Sequence, residues 1–252
     1  MIAGLVSVIT PMYNGERFVE QTINSVIGQT YTSWEMIIID DGSKDNGHAL
    51  VTRYAAQDSR ITVHSQVNTG SAGARNKGIR CAKGQYIALL DADDTWNPEF
   101  LEKQLKLMKE KNAELVYASH TRIDAAGKEC LRPFLASEKE DYYSMLKTCS
   151  ISCLTGLYDT KTFGKIYLRE DLKSNRDDYV YWLDILKKVK VAYGNREILA
   201  NYRMLNTSAT ANKSKVIIPQ FMVLYKVENL GLLKSVYYLT NWAFYGFLKY
   251  KE

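Results

Sequence analysis

Acidic side chains follow two apolar runs of this sequence, at the points where buried strands would end. Asp91 and Asp93 come after Tyr86–Leu90, and Asp41 comes after Glu35–Ile39. An unpaired carboxylate is costly to bury, so these acids need either solvent or a cation. Asp-x-Asp at the carboxyl edge of a sheet suits a hard cation such as Mg²⁺ or Mn²⁺, with phosphate oxygens as the remaining ligands. The spacing therefore favours a site for a divalent cation and a phosphorylated ligand.

A structural role is the alternative for some of the acids. Asp94 would be a turn residue, with Asn97 capping the next helix and Pro98 in its first position. Asp177 and Asp178 pose the same question, because they begin a segment whose apolar residues recur at helical spacing. A helix dipole stabilises carboxylates in the first turn without any further role. Both alternatives stay open on the local sequence alone.

Strands and helical segments alternate through the first half of the chain, as in a parallel α/β sheet. The predicted strands are Leu5–Thr10, Glu35–Ile39, Ile61–His64, Tyr86–Leu90 and Glu114–Ser119. Right-handed βαβ connections would bring the carboxyl ends of these strands to one edge of the sheet. Thr10 and Tyr13 would then lie beside the acids, and the flexible loop Asn68–Gly73 would open the helix that carries Arg75. The sequence thus predicts an α/β fold with polar groups gathered at one edge.

The C-terminal third of the sequence has a different character. Val191–Tyr202 predicts a closing pair of strands, and Asn206–Thr210 predicts a polar loop. Phe221–Tyr250 is aromatic and aliphatic with scattered lysines, and its longest uncharged run, Ser235–Leu248, has 14 residues. Crossing a bilayer takes about 20 apolar residues, so this segment is predicted not to span a membrane. Two interpretations remain, an interfacial helix with a basic rim and a helix packed on the domain.

The composition is that of a globular protein with an uneven distribution of charge. The 252 residues, 46% hydrophobic and 24% charged, indicate one large domain with a full core. The net charge is −3 over residues 1–160 and +8 over residues 161–252, which together give +5. Without a compact Lys/Arg block or a nucleic-acid motif, the basic part favours lipid headgroups over nucleic acid as its partner. The four cysteines lack zinc-ligand spacing and the N-terminus lacks a signal peptide, so we expect a cytoplasmic protein.

Five motifs occur in a fixed order within residues 4–210: Val6–Gly15, Asp40–Ser43, Gly73–Gly78, Asp91–Asp94 and Asp177–Tyr179. The set resembles family 2 glycosyltransferases of the bacterial cell-surface polysaccharide type, which are inverting enzymes that use nucleotide-diphospho-sugars. The resemblance implies an α/β GT-A fold, with a Rossmann-like, mostly parallel central sheet flanked by helices. It also implies a domain over residues 1–215, with a nucleotide-sugar-binding half at 1–120 and an acceptor-binding half at 121–215. A helical C-terminal extension at 216–252, amphipathic, aromatic and basic, would follow.

The resemblance also implies which residues bind the donor. Thr10, Tyr13 and Asp41 would form the nucleoside pocket, with Asp41 accepting a hydrogen bond from a ring nitrogen of uracil. Arg75 would lie beside the base and the diphosphate, and Asp91 would face the ribose. These five residues would together hold a nucleotide-sugar, with a UDP-sugar as the expected donor.

Four more residues would form the metal and acceptor side. Asp93 would hold the divalent metal, Mn²⁺ or Mg²⁺, that bridges the two phosphates. Asp178 matches the family's general base, while Asp177 and Arg176 would lie toward the acceptor. Asp177 stands where the family more often has glutamate, and its shorter side chain reaches less far toward that acceptor.

The implied reaction is a metal-assisted single displacement onto a glycan or a polyprenyl-diphosphate-linked sugar. The enzyme would be cytoplasmic and peripheral on the inner face of the cell membrane. Such a transfer needs a stabilised diphosphate leaving group and one carboxylate that accepts the acceptor's proton. A nucleotidyltransferase is the first alternative, but it would need a Gly-rich phosphate loop where Pro11–Gly15 stands. A non-catalytic sugar-nucleotide-binding module is the second, and intact carboxylates at both the metal and base positions argue against it.

Overall fold

The structure is a computed structural model that describes residues 1–172, 176–205 and 214–251. Its strands are β1 (Ile2–Met12), β2 (Trp34–Asp40), β3 (Ile61–Ser65), β4 (Gly84–Leu89), β5 (Thr95–Trp96), β6 (Leu115–Ile123), β7 (Glu129–Phe134), β8 (Lys139–Asp141), β9 (Leu157–Asp159) and β10 (Val191–Arg203). Its helices are α1 (Val19–Ile27), α2 (Gly47–Gln57), α3 (Gly70–Cys81), α4 (Phe100–Lys111), α5 (Tyr142–Thr148), α6 (Asp177–Val189), α7 (Ser214–Met222) and α8 (Gly231–Lys251). The polar loop predicted at Asn206–Thr210 lies outside the described residues.

The described strands join in one sheet, with the main order β3-β2-β1-β4-β9-β6-β10-β5. The pairs β3–β2, β2–β1, β1–β4 and β6–β10 are parallel, and β9 joins β4 to β6 by antiparallel pairing. After β3 the chain returns through α3 to the opposite side of β1, so the strand order reverses between β1 and β4. Ligands of open α/β sheets bind at such a reversal, outside the carboxyl ends of the strands. The predicted α/β fold with a central sheet flanked by helices is confirmed.

Both faces of the central strands are buried, which explains their continuous apolar runs. Along β4, Ile87 and Leu89 pack with residues of α3, α5 and α6, whereas Ala88 and the following Leu90 pack with residues of α1 and α4. Successive side chains of a strand point to opposite faces, so a strand covered on both sides has no polar alternation. The helices thus form a layer on each side of the sheet, and its carboxyl edge stays accessible.

Glycines set the position of α3, the helix that crosses to the far side of β1. A Cβ atom on Gly78 would lie 2.3 Å from Cγ2 of Ile9, so only glycine allows this close approach of helix and strand. Gly70 begins the helix with a φ of +83°, a backbone conformation that is unfavourable for residues with a Cβ atom. The amino end of α3 is therefore held against the carboxyl ends of β1 and β2.

Two local predictions are wrong. Val191–Tyr202 does not form a pair of strands but lies within the single strand β10, whose pairing with β6 is irregular between Asn195 and Ile198. Gly194 marks a close approach and not a turn, since a Cβ atom there would lie 2.0 Å from the Ser137 carbonyl. Helix α4 begins at Phe100, after the cap position Glu99, so the expected Asn97 cap and Pro98 start are also incorrect.

The C-terminal helices pack on the α6 side of the sheet. Ser235 of α8 is fully buried, and Tyr238 and Leu239 pack against the core that includes α5 and α6. Among the described residues, no helix is long and apolar enough to cross a bilayer. Strand β6 runs through the boundary between the predicted halves 1–120 and 121–215, so the halves share one sheet. That division, and the separate tail at 216–252, stay predictions.

Candidate active site

A cleft of about 990 Å³ opens at the carboxyl edge of the sheet, beside the reversal of strand order. Its walls are the end of β1, the loops after β2 and β4, the start of α3, the turn after β6 and the chain after β10. Five of the predicted site residues line this cleft: Tyr13, Asp41, Arg75, Asp91 and Asp93. The structure therefore brings the predicted donor and metal residues together from four separate segments.

Thr10 is the predicted donor residue that does not line the cleft. Its side chain is fully buried within β1, and its hydroxyl has no hydrogen-bond partner among the described residues. Tyr13, by contrast, is half-exposed at the cleft wall. A direct donor contact for Thr10 stays a prediction, and the buried, unpartnered hydroxyl is the feature that a ligand or water would satisfy.

Asp41 is buried and bonds to the loop that leads into α3. Its Oδ1 accepts hydrogen bonds from the backbone N–H of Thr69 and from Nε2 of Gln66, both at 2.8 Å. Its Oδ2 accepts one from the backbone N–H of Gly70, also at 2.8 Å. These bonds hold the amino end of α3 against the end of β2. Recognition of a uracil nitrogen by Asp41 stays a prediction.

Arg75 connects the donor side of the cleft to the acids of α6. Its guanidinium is buried and donates from Nη2 to Oδ1 of Asp91 at 2.6 Å. Its Nη1 lies 3.6 Å from Oδ2 of Asp177, while its Nε has no partner among the described residues. One positive charge is therefore shared between two carboxylates from different parts of the chain.

Asp177 and Asp178 occupy the first turn of α6, as the sequence predicts. Asp177 is buried, and burial together with the charge of Asp178 raises the pKa of its carboxyl group. Asp178 is half-buried, and its Oδ1 accepts a hydrogen bond from the backbone N–H of Tyr179 at 2.7 Å. Asp178 forms no ion pair within the described ranges. Neither acid is among the residues that line the cleft, and Arg75 provides the connection to it.

Arg176 has a structural role that the sequence did not indicate. It precedes α6 with a φ of +67° and donates from Nε to Oε1 of Gln220 at 2.8 Å and from Nη2 to Sγ of Cys149 at 3.1 Å. Its guanidinium carbon lies 4.8 Å from the ring centroid of Tyr179 and 5.7 Å from that of Trp242. Arg176 thus joins the end of α5 and the start of α6 to α7 and α8. Its placement on the acceptor side stays a prediction.

The acids after β4 differ in their surroundings. Burial and the nearby charge of Asp91 raise the pKa of Asp93 to about 6. Asp94 is almost completely buried, and burial followed by the charge of Asp93 raises the pKa of its carboxyl group well above the usual range. The Oδ1 of Asp94 accepts the backbone N–H of Arg203 at 2.7 Å. Asp94 therefore tethers the end of β10, whereas Asp93 lines the cleft together with Asp91.

Arg203, at the end of β10, is the residue that the sequence analysis missed. It donates from Nε to the carbonyl of Asp93 at 2.8 Å, from Nη1 to the carbonyl of Asp124 at 3.0 Å and from Nη2 to Oε1 of Gln21 at 2.7 Å. Its guanidinium carbon also lies 4.4 Å from the ring centroid of Phe18. A single arginine at a strand end has no characteristic spacing, so the sequence carries no signal for this role.

We expect Arg203→Met to lower both stability and donor affinity. The substitution leaves the half-buried carbonyls of Asp93 and Asp124 without this donor. The loss costs about 1–3 kcal/mol of unfolding free energy, and it releases the segment that positions Asp93. Urea unfolding and titration calorimetry with a UDP-sugar measure the two effects. Arg132→Met, on the exposed part of β7, is the matched control. An Arg203→Met protein with unchanged unfolding free energy would contradict this role.

The cleft suits a divalent cation through Asp93. No group of three or more His, Cys, Asp or Glu side chains within the described ranges forms a ready-made metal site. However, Asp93 is a largely desolvated carboxylate beside another acid, and an added positive charge would relieve both penalties. Mg²⁺ is commonly held by one or two carboxylates and substrate phosphates. The residues present therefore fit a cation that binds together with a diphosphate.

The amino-acid sequence is similar to those of known glycosyltransferases. Residues 7–174 match the family model described as Glycosyl transferase family 2. TuaG of Bacillus subtilis, a putative teichuronic acid biosynthesis glycosyltransferase, is 37% identical over 240 residues, which are 95% of this chain and 94% of TuaG. WfgD of Escherichia coli, named a UDP-Glc:alpha-D-GlcNAc-diphosphoundecaprenol beta-1,3-glucosyltransferase, is 35% identical over 249 residues, which are 98% of this chain and 95% of WfgD.

Solved structures show the same fold at lower identity. The fragment of S. aureus TarS solved with UDP-GlcNAc has a TM-score of 0.71 and 19% identity, covering 88% of this chain and 66% of that one. The mannosyltransferase PcManGT of Pyrobaculum calidifontis, in complex with GDP-Man and Mn²⁺, has a TM-score of 0.65 and 17% identity, covering 88% and 64%. This chain thus spans about two thirds of each of those two solved chains. The implied GT-A fold is confirmed, and the matched residues and the relatives of nearly equal length show that the chain belongs to glycosyl transferase family 2.

Proposed function

We propose that this glycosyltransferase moves a sugar from a UDP-sugar to a polyprenyl-diphosphate-linked sugar, with inversion at the anomeric carbon, in the synthesis of a bacterial surface polysaccharide. WfgD, at 35% identity, is named for such a donor and such an acceptor. The observation that carries the proposal is the contact of Arg75 with both Asp91 and Asp177. This contact connects Asp177 of α6 to the acids at the donor cleft.

The donor side binds the nucleotide and the diphosphate. Tyr13, Asp41 and Asp91 line the cleft. Tyr13 and Asp41 would enclose the base, and Asp91 would accept hydrogen bonds from the ribose. Asp93 would hold a divalent cation, Mn²⁺ or Mg²⁺, which when bound supplies Lewis-acid stabilisation of the leaving diphosphate. Arg75, at the same wall, adds a fixed positive charge on the diphosphate side.

Asp178 is proposed as the general base. With Oδ1 bonded to the backbone of α6, its Oδ2 is the oxygen that takes the proton of the attacking acceptor hydroxyl. A single base suffices for one displacement with inversion, whereas a retaining reaction through a covalent intermediate needs a second carboxylate as nucleophile. Asp177 keeps Arg75 in place and so positions the diphosphate relative to the base.

The acceptor determines where the enzyme works. A polyprenyl-diphosphate sugar is anchored in the cell membrane by its lipid, so the enzyme must reach the membrane surface. We therefore propose a cytoplasmic enzyme that is peripheral on the inner face of the membrane.

A thermal-shift panel tests the donor assignment. The protein is heated with UDP-, GDP- and dTDP-sugars, each with and without Mn²⁺. A ligand that binds only the folded state stabilises it by about 2.7 kcal/mol at a hundred times its dissociation constant. We expect the largest shift with a UDP-sugar plus Mn²⁺. An equal or larger shift with a GDP-sugar would contradict the donor assignment.

Product analysis tests the reaction. The enzyme is incubated with the best donor and a short-chain alkyl diphosphate of N-acetylglucosamine, and the anomeric configuration of the product is read by NMR. We expect a β-linked product from an α-linked donor. An α-linked product would exclude inversion, and release of UDP at the same rate without the acceptor would exclude this acceptor class.

A further inference from the structure

Helix α8 exposes apolar side chains on the side where a packed helix is normally polar. Leu233 is 86% exposed and Phe244 is 60% exposed. Between residues 231 and 246, Lys234 is the only charged residue. Among the side chains of this helix that the structure describes, the other exposed large apolar residues are Leu232, Val236, Tyr237 and Tyr245. A surface helix of a globular domain keeps its apolar stripe toward the core, so this pattern calls for a partner.

The exposed side of α8 does not contribute to the packing of this helix on the domain. The opposite side is already packed, with Ser235 fully buried and Tyr238 and Leu239 against the core. Trp242 lies near the guanidinium of Arg176 on that same packed side. The exposed residues are therefore free for an interaction without any rearrangement of the domain.

A groove of about 440 Å³ lies between α5 and α8, beside the exposed face. Its lining consists of four tyrosines, two leucines and one lysine. These residues are Tyr142, Tyr143, Leu230, Leu233, Lys234, Tyr237 and Tyr238. Tyrosine rings and lysine stems combine an apolar body with a polar end, which suits the boundary between lipid headgroups and acyl chains. The groove thus has the chemistry of a lipid–water interface and not that of a dry protein contact.

The segment that carries this face is positively charged, with five lysines and one acid in residues 214–251. Glu228 is the only acid between residues 214 and 251, and its carboxylate pairs with Nζ of Lys187 at 2.8 Å. Lys226 and Lys234 are exposed, and Nζ of Lys147 lies 5.8 Å from the ring centroid of Tyr237. Two copies of this face would bring like charges together, whereas an anionic bilayer would meet opposite ones.

We propose that the exposed face of α8 docks on the surface of an anionic lipid bilayer, with Leu233 and Phe244 at the level of the headgroup–acyl boundary and the lysines among the headgroups. The helix then lies in the plane of the membrane surface. The biological reason rests on the proposed function, because a membrane-anchored acceptor must be met at that surface. The docking itself needs neither donor nor transfer.

Vesicle sedimentation tests the proposal. The protein is mixed with vesicles of one phosphatidylglycerol per two phosphatidylcholine molecules, or of phosphatidylcholine alone. We expect binding to the anionic vesicles that weakens as salt rises from about 0.05 to about 0.5 M. Leu233→Glu combined with Phe244→Glu should lower that binding at least about tenfold. Leu135→Glu, at another exposed leucine after β7, is the matched control and should bind as the unaltered protein does.

Several outcomes would overturn the docking surface. One is the absence of binding to anionic vesicles at low salt, and another is equal binding by the doubly substituted protein. A third is a dimer in sedimentation velocity that the two substitutions disrupt without any vesicle binding, which would assign the face to a second copy. Transfer to the short-chain, water-soluble acceptor should be unchanged in the doubly substituted protein. That readout separates failure of docking from failure of the proposed reaction. Vesicle binding can be lost while transfer to the soluble acceptor persists, and transfer can be lost while vesicle binding persists.

Discussion

Asp178→Asn is expected to abolish sugar transfer while leaving UDP affinity nearly unchanged. Asparagine has almost the same shape as aspartate and keeps the first turn of α6, but it cannot accept the proton of the acceptor hydroxyl. Loss of a general base lowers turnover by about 10²–10⁴. Steady-state transfer with saturating donor gives kcat, and calorimetry with UDP gives the affinity.

Two control variants locate the effect at this carboxylate. Asp171→Asn makes the same change on an exposed residue before α6 and should leave turnover unaltered. Asp177→Asn removes a partner of Arg75 and should weaken donor binding as well as turnover, because the diphosphate side loses its positioning. A different result would identify Asp177 as the general base. In that case Asp178→Asn would keep near-normal turnover, and Asp177→Asn would lose most of its kcat with unchanged donor affinity.

Asp93→Asn is expected to remove the response to Mn²⁺ and to lower transfer by at least about a hundredfold. The amide carries no negative charge, so a cation at the diphosphate loses its protein ligand. The thermal shift produced by UDP-sugar plus Mn²⁺ should fall to the level seen with UDP-sugar alone. A variant that still shows the full Mn²⁺-dependent shift would exclude Asp93 as the metal-holding residue.

The same substitution should stabilise the protein when no metal is bound. The folded pKa of Asp93, about 6, lies above the unfolded value of about 3.9. Between about pH 4 and pH 6 the folded state therefore binds more protons than the unfolded state, and the unfolding free energy falls as pH rises. An asparagine side chain does not titrate, so the variant should lose the part of the slope that Asp93 contributes and gain about 1–2 kcal/mol at pH 7.

Urea unfolding across pH 4–8, without metal, measures this gain. Asp171→Asn, which makes the same change at an exposed acid, is again the control and should keep the slope of the unaltered protein. An Asp93→Asn protein that is less stable at pH 7 would mean that the carboxylate is held in place by Arg203 and Arg75 more strongly than burial disfavours it.

Much of the donor side could be predicted from the sequence. A strand covered on both faces appears as a short apolar run, and β2 and β4 each end such a run in acids. Because parallel strands share their carboxyl edge, Asp41, Asp91 and Asp93 could be expected in one cleft, where the structure has them. The predictions succeeded where a local pattern and a rule of topology were sufficient.

The rest depends on contacts between residues far apart in the chain. Gly194 lies in the segment that the sequence predicts as a pair of strands, and the close approach of the distant Ser137 carbonyl explains why a continuous strand needs glycine there. Arg203 and Arg176 are single arginines whose partners lie on other elements, so no spacing reveals them. The sequence could not show which side of α8 faces solvent. Helical periodicity identifies a row of apolar residues but not whether that row faces the core or the solvent.

The contacts of Arg176 limit how this enzyme can be recombined with its relatives. The residue directly before the acidic pair of α6 makes hydrogen bonds or ring contacts with α7, α8 and the cysteine that ends α5. A chimera joined just after β10 would import foreign partners in place of Gln220 and Trp242 and leave the guanidinium of Arg176 without its Gln220 acceptor. Segments from α5 to α8 are therefore best exchanged as one block, and membrane preference and catalytic geometry should be inherited together.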